Sequence, residues 1–272
     1  MEITKKIGFI GAGQMAAALA KGFLMKAGLS QENLLASDAF EASREKFHAA
    51  TGIDVTDDNI DVMKECDVVI LSVKPQVLPD VLEEIADHVT QDHLIISICA
   101  GITLAKLQAG LGEDIRLVRV MPNTPCLVGQ GAIAFCQSET VTQEDFEITC
   151  ALLKSVGRCF HVGEHVMDAV TGLSGSGPAY VYLVIEALSD AGVMMGLPRD
   201  VATTLAAQTV RGAADMVLET REHPAVLKDR VTSPAGTTIA GMRQLEKCGV
   251  RAAMFEAVMA AANRSRELGK AD

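Results

Sequence analysis

The chain has 272 residues, 49% hydrophobic but only 4% aromatic and without Trp, long enough to bury one large core or two ordinary ones with no disulfide or metal to brace them. Asp and Glu number 35 against 24 Lys and Arg, a formal charge of −11, and no basic block occurs. That excludes a nucleic-acid footprint, and the dearth of aromatics argues against base- or sugar-stacking platforms.

Ile7 to Ile10 is a short apolar run with β-branched ends, the pattern of a buried parallel strand. Gly11-x-Gly13-x-x-Ala16 follows at once, and Ala17 to Met25 reads as a helix. In that setting the first glycine allows a tight turn, the second lets a phosphate approach the backbone, and the third small residue lets helix pack on strand. The helix start adds free N–H donors and the positive end of a dipole. Leu34 to Ser37 reads as a second strand and Glu41 to Ala50 as a helix. Val68 to Ser72 is the clearest buried strand, and Pro75 to His88 a helix with proline near its first turn. Leu94 to Ile98 and Arg116 to Val120 are strands, the latter stopped by Met121-Pro122; Ala132 to Phe135 and Arg158 to Val162 are the last candidates. The alternation predicts an α/β fold, a mostly parallel, doubly wound sheet of Rossmann type with right-handed crossovers.

Near residue 164 the pattern changes class, and no convincing strand follows. The expected division is 1–164, a dinucleotide-binding domain, and 165–272, an all-α domain. Helices are expected over Ala179 to Gly196, Pro198 to Thr220, Ala225 to Val231 and Thr237 to Leu268, the last open to a break at Gly241 or Gly249. Ala179 to Ile185 has hardly a polar face. A helix apolar all round is buried, and so short a domain cannot bury it alone, which predicts a partner subunit.

The seven cysteines (Cys66, Cys99, Cys126, Cys136, Cys150, Cys159, Cys248) form no C-x-x-C pair and fit reduced core thiols of a cytosolic protein. Glycines interrupt the first apolar run after four residues, so no secretory signal is expected. No stretch approaches the ~18 apolar residues of a membrane span. His161 and His165 have i, i+4 spacing, but Gly163 between them and the lack of a third ligand predict no metal site. Gly175-Ser176-Gly177 lacks the spacing of a hydrolase elbow and reads as a turn into the helix that follows.

Four places carry chemistry. Asp38 ends the second strand, where a carboxylate accepts the adenosine ribose hydroxyls and repels a 2′-phosphate; a solvated turn aspartate is the other reading. Ser72-Val73-Lys74-Pro75-Gln76 follows a strand on the ligand side of such a sheet, and Lys74 is either a phosphate or ribose contact or a surface lysine. Met121-Pro122-Asn123-Thr124-Pro125 lies likewise, with Asn123 able to offer an amide to a nicotinamide. Ser233-Pro234-Ala235-Gly236-Thr237-Thr238 gathers hydroxyls, a glycine and free N–H groups at a helix start. It is either a cradle for a small carboxylate or an ordinary helix cap.

In combination these segments resemble the pyrroline-5-carboxylate reductase family along nearly the whole chain. The resemblance is carried by Gly8 to Ala16, Val73 to Gln76, Met121 to Pro125, Thr171 to Tyr180 and Val231 to Ile239, the last two being the most specific. It implies reduction of 1-pyrroline-5-carboxylate to L-proline by NAD(P)H, the final step of proline biosynthesis, in a cytoplasmic homodimer that in some members forms pentamers of dimers. It further implies that Ser233, Gly236, Thr237 and Thr238 hold the substrate, with Thr238 hydrogen-bonding the ring nitrogen as the catalytic contact. Gly11, Gly13, Gln14 and Met15 would cradle the pyrophosphate, with Asn59, Val73, Lys74 and Pro75 lining the ribose and nicotinamide side. Two departures stand out. Ala235 replaces the first glycine of the family's Ser-Pro-Gly-Gly loop, so the turn must tolerate a Cβ. Asp38-Ala39 stands where many relatives have Asn-Arg, which leaves the choice between NADH and NADPH open, with Ser37 and Arg44 as remaining candidates to reach a phosphate. A hydroxyacid dehydrogenase of the same architecture is the rival reading, but such enzymes commonly use a positioned Lys or His, and Ala179 to Gly196 has neither. A binding protein that senses dinucleotides without turnover is a second rival; the cradle at Ser233 to Thr238 would then have no purpose.

Overall fold

The structure, a computed structural model, describes residues 3–270. Its first part alternates strand and helix: β1 (Ile7–Ile10), α1 (Gln14–Lys26), β2 (Leu34–Ser37), α2 (Glu41–Thr51), β3 (Asp54–Thr56), α3 (Asn59–Glu65), β4 (Val68–Leu71), α4 (Leu78–Ile85), β5 (Leu94–Ser97), α5 (Leu104–Leu111), β6 (Arg116–Met121), β7 (Gly131–Gln137), α6 (Gln143–Lys154) and β8 (Gly157–His161). The eight strands form one sheet in the order β3-β2-β1-β4-β5-β6-β7-β8, parallel except where β7 pairs antiparallel with β6. Successive side chains of a strand point to opposite faces, and here both faces are covered. Ile7 and Phe9 pack under α1, α2 and α6, with Phe9 5.8 Å from Phe23 and 6.0 Å from Phe47. Ile10, Val69, Leu71 and Ile95 pack under α3, α4 and α5.

Two elements differ from the sequence pattern for local reasons, α3, α5 and α6 are additional to it, and the open choice in the last helix is decided. The helix expected from Pro75 starts only at Leu78, because residues 74–77 close a turn in which the Val77 N–H donates to the Lys74 carbonyl (2.9 Å). β3, three residues of Asp-Val-Thr, has no apolar run to announce it and is held by pairing with β2. The last helix breaks at Gly249 (φ +69°), whereas Gly241 stays within helix.

After β8 come α7 (Met167–Val170), a wide π-turn at Thr171–Gly175, then α8 (Gly177–Met194), α9 (Arg199–Thr220), α10 (Pro224–Arg230), α11 (Thr237–Lys247) and α12 (Val250–Lys270). The chain divides into two compact units, residues 3–176 with 260–270, and residues 177–259. The division falls later than the class change because residues 164–175 pack on the first unit: Glu164 accepts the Leu104 N–H (2.7 Å), and Ser174 is bonded by Asn123. The end of α12 joins the same unit, the Ser265 hydroxyl donating to Asp168 (2.7 Å). In the second unit α8 packs on α9, yet only Ser189 of α8 is fully buried in the single chain. Leu183 (64% exposed) and Met194 (81%) present a broad apolar surface. Among the described residues no helix is long and apolar enough to cross a membrane.

Candidate active site

In-register pairing of Ile10 with Ser37 and with Leu71 sets Gly11, Asp38 and Ser72 directly beyond the ends of three neighbouring strands. The strand order reverses about β1, so this edge is where an open α/β sheet forms its ligand crevice. Gly11 has φ +99°, and a Cβ there would sit 2.9 Å from the Ser72 carbonyl carbon and the Val73 nitrogen. Gly13 is extended (φ −77°, ψ −176°) with nothing within 4 Å of its Cβ position. No side chain among the described residues caps α1, so the first-turn N–H groups of Gln14, Met15 and Ala16 remain donors at the positive end of the helix dipole. An open backbone surface with free amides fits a pyrophosphate.

The loops around that surface are stitched together. The Ser72 hydroxyl donates to the carbonyls of Ile10 (3.1 Å) and Gly11 (2.7 Å). Asp38 accepts the Ala12 N–H on Oδ2 and the Phe40 N–H on Oδ1, both at 2.9 Å, so its carboxylate is fixed against the glycine loop. The Arg44 guanidinium donates to the carbonyls of Asp38 (2.9 Å) and Ala39 (3.2 Å). Ser37 does not reach a phosphate: it has no exposure, and its hydroxyl donates to Asn59 Oδ1 (2.7 Å). Asn59 in turn donates to Glu84 (2.7 Å), which leaves its amide one free N–H. Val73 and Pro75 are half-buried and Lys74 is exposed. The Val73 carbonyl takes the Cys99 thiol (3.3 Å), which burial pushes up to about 11. Asn123 is buried, its amide donating to the Ser174 carbonyl (3.0 Å) and accepting the Ala132 N–H (3.0 Å). Two of its bonds therefore serve the protein itself, and only one N–H remains for a nicotinamide.

In the second unit the Ser233 carbonyl accepts the Gly236 N–H (3.1 Å), closing a turn over Pro234-Ala235. Ala235 sits at φ +53°, so the Cβ is tolerated in left-handed backbone. A Cβ on Gly236 would meet Ser233 Oγ at 2.3 Å and the Ser233 carbonyl oxygen at 3.1 Å, so a side chain there would have to turn the Ser233 hydroxyl away. Gly236 is the N-cap of α11 and makes no side-chain cap bond, so the first-turn N–H groups are not claimed by a capping side chain. Ser233 precedes and Thr237 and Thr238 open a helix start that no side chain of its N-cap closes, a set of groups suited to a carboxylate.

The sequence places Ser72 on the ligand side, but its role as a brace of the glycine loop shows only once its strand neighbours are known. One residue went unread in the sequence, Arg119, whose signal was a charge inside the apolar strand Leu117-Val118-Arg119-Val120. It is 5% exposed, pairs with Glu164 (3.0 Å) and lies 3.9 Å from Asp168, tying β6 to the segment before the π-turn. His161 is packed against Phe135 (5.2 Å) and Phe146 (5.4 Å).

Comparison with known proteins adds the following. A family model for pyrroline-5-carboxylate reductase dimerisation matches residues 164–268, and one for NADP oxidoreductase, coenzyme F420-dependent, matches residues 6–101. A pyrroline-5-carboxylate reductase of Methanosarcina acetivorans is 48% identical over 266 residues, 98% of each chain. The Plasmodium falciparum pyrroline carboxylate reductase structure with NADP bound superposes with a TM-score of 0.90 at 36% identity, covering 99% of this chain and 100% of that one. The Coxiella burnetii pyrroline-5-carboxylate reductase gives 0.91 at 36% identity with the same coverage.

Proposed function

Because this chain belongs to the pyrroline-5-carboxylate reductase family, we propose a division of its site between a glycine loop that holds dinucleotide and a hydroxyl-rich helix mouth that holds substrate. The chain is an oxidoreductase that reduces 1-pyrroline-5-carboxylate to L-proline with NAD(P)H, the last step of proline biosynthesis. It carries the family's dimerisation domain, and its substrate is a small molecule. In the proposed reading residues 1–164 bind the dinucleotide, and residues 165–272 bind substrate and dimerise. Homodimers, a pentamer of dimers as a further assembly, and a cytoplasmic location belong to the same reading. The exposed apolar side chains of α8 support the dimer.

The observation that carries the substrate assignment is the Ser233 to Thr238 segment: a turn closed by the Gly236 N–H leads into a helix start with no side-chain cap, in a stretch that carries three hydroxyl residues. The substrate's carboxylate takes the N–H groups of Thr237 and Thr238 with the Ser233 hydroxyl, Gly236 shapes the turn that presents them, and the Thr238 hydroxyl bonds the ring nitrogen. Gly11, Gly13, Gln14 and Met15 hold the pyrophosphate, Asp38 and Asn59 the adenosine ribose, and Val73, Lys74, Pro75 and Asn123 the nicotinamide half. Bound there, NAD(P)H supplies a hydride from its nicotinamide. A cyclic imine protonated at nitrogen is a ready acceptor at the adjacent carbon, and the product amine keeps that proton. The residues therefore need only orient the ring and exclude water, which suits a loop of hydroxyls with no His or Lys.

The test is pyrroline-5-carboxylate-dependent oxidation of NADH and NADPH, followed in the near ultraviolet. Thr238→Ala should lower kcat about ten- to a hundredfold, the loss of one hydrogen bond to a charged group, with the dinucleotide dissociation constant unchanged. Parental kinetics in that variant would remove Thr238 from the site.

A further inference from the structure

The dinucleotide assigned above comes in two forms, which differ by a phosphate on the adenosine 2′-oxygen. We propose that this chain selects NADH, with Asp38 as the discriminating residue and Arg44 as the residue that positions it; the inference rests on the glycine-loop reading of the preceding subsection.

Asp38 leaves β2 beside Gly11, whose N–H donates to the Ser37 carbonyl (2.8 Å). In a sheet of this topology the adenosine ribose sits beyond β2. Both carboxylate oxygens of Asp38 are fixed by neutral main-chain amides, those of Ala12 and Phe40. The negative charge is thus held in place without being cancelled, and each oxygen keeps a further acceptor site. Ribose hydroxyls are donors and match it. A 2′-phosphate brings only acceptors and close to two more negative charges, and meets a carboxylate that cannot rotate away.

Arg44 is the cation available to offset that repulsion, but it is committed elsewhere. Nη1 bridges the carbonyls of Asp38 and Ala39, the backbone that presents the carboxylate. Swinging Nη1 onto a phosphate would release that loop, so a phosphate could be met only by the Nη2 and Nε donors of the braced guanidinium, which the Arg44→Met variant below tests. The other positions at this strand end supply no cation: Ser37 is fully buried, Ala39 has no polar group, and Phe40 is 73% exposed, an apolar face suited to an adenine ring. The neighbouring strand adds to the negative field. Its Thr56 carbonyl accepts the Asp38 N–H (3.2 Å), and Asp57 and Asp58 follow directly.

The experiment measures dissociation constants of NADH and NADPH from the nicotinamide's own fluorescence, with kcat/KM for each alongside. NADH should bind at least about tenfold tighter, and kcat/KM should favour it by a similar factor. Ala39→Arg places a new cation at an exposed position and should raise NADPH affinity about tenfold while changing NADH affinity little. Arg44→Met should weaken both nucleotides in equal proportion, because its role is to hold the loop. Equal or tighter binding of NADPH by the parent protein would overturn the proposal. So would a selective loss of NADPH in Arg44→Met, since that would make Arg44 the phosphate's partner. Reduction of pyrroline-5-carboxylate by neither nucleotide would sink the reductase reading instead, with the binding ratio still deciding this one.

Discussion

Two glycines two residues apart should fail in opposite ways. Gly11→Ala forces a side chain onto a φ of +99° and puts its Cβ 2.9 Å from the backbone at Ser72 and Val73. Positive φ costs about 1–2 kcal/mol for a residue with a Cβ, and displacing packed backbone adds about 1–3 kcal/mol. A melting temperature lower by about 5–15 °C follows for a chain of this size. Gly13→Ala meets no atom within 4 Å and keeps an ordinary φ of −77°. Alanine is a poorer N-cap than glycine, but the stiffer unfolded chain returns about 0.4–1 kcal/mol. Its melting temperature should stay within about 3 °C of the parent. Dinucleotide affinity is another matter, because the added methyl occupies the surface a pyrophosphate must touch. Loss of one charge-assisted bond to an amide costs about 1.5–3 kcal/mol, or about ten- to a hundredfold in Kd. Calorimetric melting and titration of nicotinamide fluorescence read the two quantities separately. Parental affinity in Gly13→Ala would show that no phosphate passes over that Cα. A parental melting temperature in Gly11→Ala would refute the strain argument.

Further outcomes follow from the same geometry. Ala235→Gly relieves left-handed backbone at φ +53° and should gain about 0.5–1 kcal/mol after the entropy of a freer unfolded chain is counted, seen as a small rise in melting temperature. Arg119→Met removes the guanidinium from two partly exposed carboxylates that keep other donors, Glu164 the Leu104 N–H and Asp168 the Ser265 hydroxyl, and should cost about 1–3 kcal/mol in denaturant unfolding; adding Glu164→Gln should recover part of it. Burial pushes the Cys66 thiol up from 9.0 to about 12 and the Cys99 and Cys136 thiols from 9.0 to about 11. The unfolded chain loses these protons first, so stability is intact below pH 9.0 and falls as pH rises through about 11 to 12, measurable by chemical denaturation across that range. Alkylation of the native protein should reach exposed Cys248 rapidly and Cys66, Cys99 and Cys136 only after unfolding, by mass spectrometry; fast labelling of Cys99 would contradict its packing under the Val73 carbonyl.

What could be read in the sequence, and what could not, divides along physical lines. Buried parallel strands announce themselves as apolar runs, so β1, β4 and β5 were legible together with α1, α2 and α4, and with them the ligand edge of the sheet, whereas the short α3 was not. β3 was not, because Asp-Val-Thr at a sheet edge has no run to show and exists by pairing with β2. Asp38 was legible as a position and not as a bonded group: its partners Ala12 and Phe40 come from two different loops. Asn123 shows the converse. Its place beyond β6 suggested a hand extended to a ligand, yet its amide donates to the Ser174 carbonyl, 51 positions later, and accepts the Ala132 N–H. Ala235 was legible as an anomaly, and the structure gives the consequence, a methyl in left-handed backbone held by the 233–236 turn.

The economy of side-chain chemistry at both helix mouths has one physical root. An imine already protonated lacks nothing but a hydride at the right distance, so the barrier to lower is one of placement. Placement needs stiffness before the ligand arrives, and the bonds around the glycine loop supply it. Ser72 holds the carbonyls of Ile10 and Gly11, Asp38 holds the amide of Ala12, and Arg44 braces the backbone that carries Asp38. None of these bonds uses the amides of the first turn of α1, the donors proposed above for a pyrophosphate. The same separation recurs at α11, where the 233–236 turn closes through the Gly236 N–H alone and leaves the amides after it unclaimed. Each loop is thus made rigid by one set of groups and keeps another in reserve, the condition under which a binding site can orient its ligand without first paying to order itself.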